Sequence, residues 1–284
     1  MNSTNSIGVI GAGTMGAGIA QICAVAGSTV VMLDVDAARA ARGRDAVAGA
    51  LDRLVTKATL AAGERDAALA RLSATPDYGA ISGCDFVIEA ATEDEALKLE
   101  ILRRADAACG RNAILATNTS SISITKLGDA TRRAERFVGL HFFNPVPLMG
   151  LVEVVRGRNT SEPTVAMATA LAKRLGKTPI VVNDSPGFVV NRLLCPMLNE
   201  AALIAGEGVA SARDIDEAMK LGCNHPIGPL ALCDLIGIDV VLAVMEVFHR
   251  ELKDSKYRPA PLLEEMVAAG HLGRKSGRGF HTYG

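Results

Sequence analysis

The stretch Ser6–Gly27, SIGVIGAGTMGAGIAQICAVAG, runs directly into Ser28–Asp36, STVVMLDVD, and these two segments decide the fold. Ile7 to Ile10 form a short apolar run of strand type. Gly11, Gly13 and Gly16 follow, and then small residues continue in a helical pattern to about Ala26. The next apolar run ends at an acid, Asp34. Strand, glycine-rich turn, helix, strand and acid, in that order, make the dinucleotide-binding fingerprint in the context it requires. Gly11 permits the tight turn, Gly13 lets a pyrophosphate approach the backbone and the helix N-terminus, and Gly16 lets helix pack closely on strand. Asp34 is placed to accept hydrogen bonds from the adenosine ribose and to repel a 2'-phosphate, so NAD is expected rather than NADP. The competing reading is a purely structural glycine-rich turn.

The chain has 284 residues, 49% hydrophobic and 21% charged, which is enough for one large domain or two ordinary ones and argues against disorder. A formal net charge of -1 gives no reason to expect a nucleic-acid or anionic-membrane partner, although local basic patches can still hold a phosphorylated small molecule. Cys23, Cys84, Cys109, Cys195, Cys223 and Cys233 are scattered, without CxxC or zinc-like spacing, and most sit among apolar neighbours as buried thiols do. No metal is expected. The opening MNSTNSIGVIGAG lacks the pattern of a secretory leader, and no uncharged apolar segment reaches the roughly 18 residues of a membrane span. A reducing cytoplasm is the expected location.

From Asp36 to about Leu72 the chain is Ala-rich and charged. It reads as two helices broken near KATLAAGERD, an inserted helical hairpin. Strands are expected at Asp85–Ala90, Ile114–Thr117, Phe137–Leu140 and in GLVEVVRG and TPIVVNDSPGF. Helices fall between them, at Ala96–Ala108 and in EPTVAMATALAKRLGK. This alternation predicts an α/β domain with a mostly parallel sheet covered on both faces, over residues 1–185. SPGF then breaks the pattern. Residues 186–284 read as an all-helical domain, with helices in Val189–Gly206, SARDIDEAMKLG (Ser211 as N-cap), LALCDLIGIDVVLAVMEVFHREL and PAPLLEEMVAAGHLG.

In an open parallel sheet, ligands bind beyond the carboxyl ends of the strands. Glu93, Ser120, His141 and Asn144 all fall just past predicted strand ends. A histidine there can take or give the proton that accompanies hydride transfer near neutral pH. Glu153, twelve residues on and beyond the turn NPVPLMG, can hold the imidazole ring and its tautomer. A core histidine and a surface glutamate are the bland alternatives. Ser120 can donate to a substrate oxygen, or can simply cap the segment SISITKLG. Asn191, a polar amide on an apolar helical face at the domain junction, reads equally as a substrate contact or as a satisfied buried amide.

The glycine-rich opening, NTSS, HFFNPVPLMGLVEVV, DSPGFVVNRLLCPMLNEA and the closing GHLGRKSGRGFHTY together resemble the L-3-hydroxyacyl-CoA dehydrogenase family, and most of all its stand-alone bacterial 3-hydroxybutyryl-CoA members. The resemblance covers nearly the whole chain. It implies a Rossmann-type NAD domain with an inserted helical hairpin, and a C-terminal helical domain that binds substrate and forms a homodimer. The cleft between the domains is then expected to receive the acyl-CoA. It implies His141 as general acid/base, Glu153 as its support, Ser120 as donor to the substrate C3 oxygen and Asn191 as the amide that places substrate. Asp34 would then hold the adenosine ribose, and Glu93 and Lys98 the nicotinamide half of the cofactor. The hairpin, about Val47–Leu72, would lean over CoA, with Arg53 and Lys57 as candidates for its phosphates. His281 departs from a position more often tyrosine, and Gly150 from a lysine common in mitochondrial members. An NAD-dependent dehydrogenase of a non-CoA hydroxy or sugar acid is the alternative activity, and a cofactor-binding protein without turnover a further one.

Overall fold

Apolar side chains with scarcely any exposed position build β1 (Ser6–Ile10), and β2 (Thr29–Leu33) lies parallel beside it with Ile10 level with Leu33. The computed structural model describes residues 6–284. Beyond these two strands come β3 (Leu72–Thr75), β4 (Phe86–Glu89), β5 (Ile114–Thr117), β6 (Phe137–Phe142), β7 (Leu151–Arg156) and β8 (Thr178–Asn183). They form one eight-stranded sheet in the order β3-β2-β1-β4-β5-β6-β7-β8. Every pairing is parallel except β6 with β7, and β8 runs parallel to β7. β4 and β5 have no exposed residue, as expected of strands covered on both faces. β8, at the edge, is largely exposed or half-buried.

The strand order reverses at β1, whose neighbours are β2 and β4. That is the switch point at which doubly wound sheets open a crevice. The chain fills its walls with α1 (Thr14–Val25), whose Ala17, Ile19, Ala20, Cys23 and Ala24 join the main core with Ile7, Val9, Val30 and Met32. Cys23 is fully buried there, and burial pushes its thiol up to about 12. All six cysteines are free, five of them buried, and the pattern is that of inert core thiols.

The two helices expected after Asp36 are α2 (Ala37–Thr56) and α3 (Ala62–Ala70). Asp36 caps α2 by accepting from the Arg39 amide at 2.7 Å. Val47, Leu51 and Ala68 sink into the main core, so the pair serves as the crossover that carries the chain to β3. That strand was not anticipated, and Leu72 begins it rather than ending a helix. Its four residues, LSAT, are too few and too mixed to show a period of two. α4 (Glu95–Ala108), α5 (Ile124–Asp129) and α6 (Glu162–Arg174) complete this unit, which ends at Ser185.

The second compact unit, Pro186–Gly284, holds α7 (Val190–Gly206), α8 (Ala212–Cys223), α9 (Pro229–Ile236), α10 (Ile238–Leu252) and α11 (Pro261–Ala268). Ser211 caps α8 as expected. The long apolar segment expected as one helical run is split into α9 and α10 at Gly237, whose φ of +110° leaves the helical region. Leu198, Ala202, Cys233, Ile238, Val241 and Leu263 form the unit's core. Two buried carboxylates pin its tail. Asp234 accepts from the amides of Phe280 and His281 and from the Tyr283 hydroxyl. Asp216 accepts from the amides of Leu230 and Ala231 at the start of α9 and lies 2.7 Å from His281 Nε2. The departure at His281 therefore has a definite partner.

Gly43, in mid-helix on α2, faces the glycine-rich turn: a Cβ there would sit 2.5 Å from the Ala12 Cβ. Alanine is the better helix former by roughly 0.5–1 kcal/mol, so Gly43→Ala on an open surface would stabilise. Here it is expected to lower the melting temperature and weaken NAD binding. Calorimetry and cofactor titration check both.

Candidate active site

The carboxyl ends of β1, β2, β4, β5 and β6 lie on one edge of the sheet, because these strands are mutually parallel. Gly11, just past β1, has φ +101°, and a Cβ there would strike the Ala90 carbonyl at 2.7 Å. Gly16 packs against Gly11 O so closely that any Cβ would overlap it, while a Cβ on Gly13 would meet nothing within 4 Å. The first and third glycines are thus demanded by packing and the second faces open space. Gly13 is also the N-cap of α1, with no side chain bonded to the helix start, which leaves the first amides and the positive end of the helix dipole to an anion. Half-buried Asp34 follows β2. Its Oδ2 accepts from the Ala12 amide at 2.8 Å and its Oδ1 from the Val35 amide at 2.7 Å, so it is fixed against the turn while each oxygen keeps a lone pair for a hydroxyl. These residues fit a dinucleotide: the turn and helix start suit the pyrophosphate, and Asp34 suits a ribose diol.

At the end of β4 the structure holds an ion pair that sequence reasoning missed. Glu89, fully buried, accepts from Lys98 Nζ at 2.8 Å, from the Ala91 amide at 2.6 Å and from the Thr117 hydroxyl at 2.6 Å. Lys98, also buried, donates in addition to the Ala91 carbonyl and approaches Glu93 Oε2 at 3.5 Å. A signal for it existed. Lys98 occupies the buried stripe of α4 with Ile101, Leu102 and Ala105, and a lysine on such a stripe needs a buried acid.

Glu93 lies four residues beyond β4 rather than at the strand's end. Its Oε1 gathers the hydroxyls and amides of the loop after β5: the Thr119 hydroxyl at 2.5 Å, the Ser120 amide at 2.9 Å and the Ser121 amide at 3.1 Å. The Ser120 hydroxyl reaches the same oxygen at 3.3 Å. Burial works to raise the Glu93 pKa, but the Lys98 charge and these donors outweigh it and hold the carboxyl below its ordinary value. Ser120 does not cap α5; Ser123 does, accepting from the Lys126 amide. The capping reading of Ser120 therefore falls away, and its hydroxyl stays at the sheet edge.

His141 lies inside β6, one residue before its end, and is directly opposite Glu153 in the antiparallel ladder with β7. Opposite residues on adjacent strands share a face, and His141 Nδ1 comes 2.7 Å from Glu153 Oε2. Both are buried, at 5% and 1% exposure. With Glu153 ionised the carboxylate can only accept, and in that state Nδ1 is the donor and Nε2 is the ring nitrogen left for a substrate. Asn118 ties the loop bearing Ser120 to this strand, its Oδ1 accepting from the Phe142 amide at 2.9 Å. The Phe143 ring packs tilted against the imidazole, with centroids 4.5 Å apart.

The structure thus joins Glu93, Lys98 and Ser120 in one network and His141 with Glu153 in another, on the edge that carries Gly11, Gly13 and Asp34. Asn191 belongs to the helical unit, half-buried in the first turn of α7. Arg53 and Lys57 are exposed at the tip of the α2–α3 pair. Among the described residues, no group of His, Cys, Asp and Glu side chains is arranged to hold a metal ion.

Residues 6–185 match the NAD-binding domain of 3-hydroxyacyl-CoA dehydrogenase, and residues 187–283 match that enzyme's C-terminal domain. The chain belongs to the 3-hydroxyacyl-CoA dehydrogenase family. The probable 3-hydroxybutyryl-CoA dehydrogenase of Deinococcus radiodurans is 50% identical over 276 residues, spanning 97% of this chain and 99% of that one. The 3-hydroxybutyryl-CoA dehydrogenase of Bradyrhizobium diazoefficiens is 49% identical over 98% of this chain and 94% of its own. The crystal structure of the (S)-3-hydroxybutyryl-CoA dehydrogenase of Ralstonia eutropha superposes with a TM-score of 0.97 at 58% identity, covering 99% of this chain and 100% of that one.

The buried pair at β4 sets a stability test. Removing one partner of such a pair strands the other charge, at a cost of about 3–5 kcal/mol. Lys98→Met and Glu89→Gln are both expected to lower the melting temperature more than the double variant does per group removed. Glu93 adds a pH dependence with a definite sign. Its folded pKa lies below the ordinary value, so its contribution is present above the unfolded pKa and is lost as pH falls through the folded one. Glu93→Gln should therefore flatten the acid side of the stability curve, read from denaturant titrations at stepped pH.

Proposed function

We propose that the chain oxidises (S)-3-hydroxyacyl-CoA to 3-oxoacyl-CoA with NAD, and runs the reverse reaction, with 3-hydroxybutyryl-CoA as its preferred substrate. The observation that carries this reading is the buried His141–Glu153 pair on the same sheet edge as a turn built for a dinucleotide. Membership of the family fixes the reaction class, and the relatives described as 3-hydroxybutyryl-CoA dehydrogenases support a C4 chain.

Bound NAD supplies the acceptor for the hydride that leaves C3. His141 Nε2 takes the proton of the C3 hydroxyl as the C3–O double bond forms, and returns it in the reductive direction. Glu153 keeps the ring in the tautomer that exposes Nε2 and stabilises the imidazolium that results. The Ser120 hydroxyl turns from Glu93 to the C3 oxygen and donates to it where negative charge gathers. Glu93 and Lys98 shape the nicotinamide end of the site, and Gly11, Gly13, Gly16 and Asp34 hold the rest of the cofactor. Asn191 is assigned to substrate placement, and Arg53 and Lys57 to the CoA phosphates, in keeping with their exposure. Leu193, Val209 and Leu221, 70–78% exposed on the helical unit, support its use as a homodimer surface. The same reading makes the enzyme cytoplasmic. Among the described residues no helix is long and apolar enough to cross a membrane.

NADH oxidation by the purified enzyme tests the reading, with acetoacetyl-CoA, free acetoacetate and a C10 3-oxoacyl-CoA compared side by side. Fast turnover of the C4 thioester is expected, with slow turnover of the longer one and none of the free acid. His141→Ala should lower kcat by roughly 10²–10⁴-fold, the usual worth of a positioned acid/base. Equal rates on free acetoacetate would give the lead to the hydroxy-acid alternative.

A further inference from the structure

The loop 143–150 joins the strand of His141 to the strand of Glu153, and what holds it is unusual. Lys177, between α6 and β8, is only 8% exposed and makes no ion pair among the described residues. Its Nζ donates to three backbone carbonyls of the loop: Val146 O at 2.7 Å, Met149 O at 2.8 Å and Pro147 O at 3.3 Å. The next residue adds a fourth tie, the Thr178 amide donating to Gly150 O at 2.7 Å. An ammonium has three N–H groups in a tripod, and here each finds a carbonyl. Burial pushes the Lys177 pKa down, and no carboxylate offsets that cost.

Apart from the Leu148 and Met149 amides donating to Pro145 O within the turn and the Phe143 ring against His141, the loop has little else to secure it. Leu148 is 78% and Met149 41% exposed. Val146 alone is buried, and it packs on Gly18 of α1, where a Cβ would come within 2.9 Å of the valine. Through Val146 the tripod therefore seats the loop on the helix that begins at the dinucleotide turn. His141 and Glu153 form the second rung of the hairpin from the loop, after Phe142 and Val152. When a hairpin loop loosens, the rungs nearest it fray first.

We propose that Lys177 is a positioning residue for the His141–Glu153 pair: by fixing the β6–β7 loop it sets the contact between imidazole and carboxylate, and by seating Val146 on α1 it sets the distance of that pair from the cofactor. This rests on the assignment of His141 and Glu153 as acid/base and support. A lysine serving fold stability alone would change the amount of folded enzyme and leave the ionisation of His141 as it was.

The test compares wild type, Lys177→Met, Lys177→Gln and Glu153→Gln. The readouts are melting temperature, kcat and KM for NAD, and the pH dependence of kcat/KM in the oxidative direction. Oxidation needs His141 neutral, so kcat/KM rises with pH through its pKa. A looser Glu153 stabilises the imidazolium less, and the acid limb moves to lower pH. For Lys177→Met a kcat loss of about tenfold or more per folded enzyme is expected, the scale on which small displacements of reacting groups act. The acid limb should shift in the same direction as in Glu153→Gln. Lys177→Gln, which keeps two N–H donors, should show a smaller shift of the same sign and covers the case in which the Met variant does not fold. A limb unchanged in the Lys177 variants but shifted in Glu153→Gln overturns the positioning role alone. A limb unchanged in Glu153→Gln overturns the acid/base reading and the positioning role with it.

Discussion

The hydrogen bond between His141 and Glu153 obliges the sheet to reverse direction. Six strands run parallel from β3 to β6, and any further parallel neighbour of β6 would need a crossover of a dozen residues or more. A return through the loop 143–150 instead makes β7 antiparallel, and only that geometry sets residue 141 squarely against residue 153. A slip of one residue would turn Glu153 to the other face of the sheet and away from His141. Register, loop length and the seat of the loop are thus tied to one contact. The sheet ends parallel again at β8, which needs the long connection through α6 and so delivers Lys177 to the loop.

The other glutamates of this edge answer different needs. Glu89 faces a permanent charge, Lys98, and both are spent on each other and on the Ala91 and Thr117 groups around them. Such a pair adds little net stability over an apolar core, but it fixes the end of β4 against β5 and α4. Glu93 is more than a third exposed and is organised by the neutral donors of the Thr119–Ser121 loop, with the Lys98 ammonium at 3.5 Å behind them. It holds that loop without consuming it. The hydroxyl of Ser120 makes the longest of these bonds, 3.3 Å, and is the one most easily lent to a ligand.

Elements whose residues carry their own period were legible in the sequence. The glycine-rich turn, the strand ending at Asp34, the helix from Val190 and the cap at Ser211 all rest on local chemistry: positive φ, small residues under a close backbone, a hydroxyl before an apolar run. β3 was not legible because four mixed residues carry no period and its place is set by pairing with β2. The split at Gly237 was hidden because an apolar helix continues on either side of it. In the site, the turn NPVPLMG between His141 and Glu153 allowed the pair without deciding it, and the family resemblance is what favoured it over a surface glutamate. Glu89 stayed hidden because one acid at the end of an apolar strand looks like the strand's polar boundary, and only α4 packed beside it reveals the lysine that it serves.

Charge accounting explains why a buried glutamate suits a base that must also let go. With His141 neutral and Glu153 ionised, the two side chains together carry one negative charge at a position only a few per cent exposed. When Nε2 takes a proton the pair becomes an ion pair of no net charge, which burial disfavours less than the net charge of the first state. The carboxylate cannot take the proton from the ring without leaving two neutral groups where a strong hydrogen bond stood, so the charge stays on the ring and available at Nε2. A lysine in place of Glu153 would reverse each of these terms. An amide would keep the geometry and lose the charge, which separates the work of holding the ring from the work of supporting its proton.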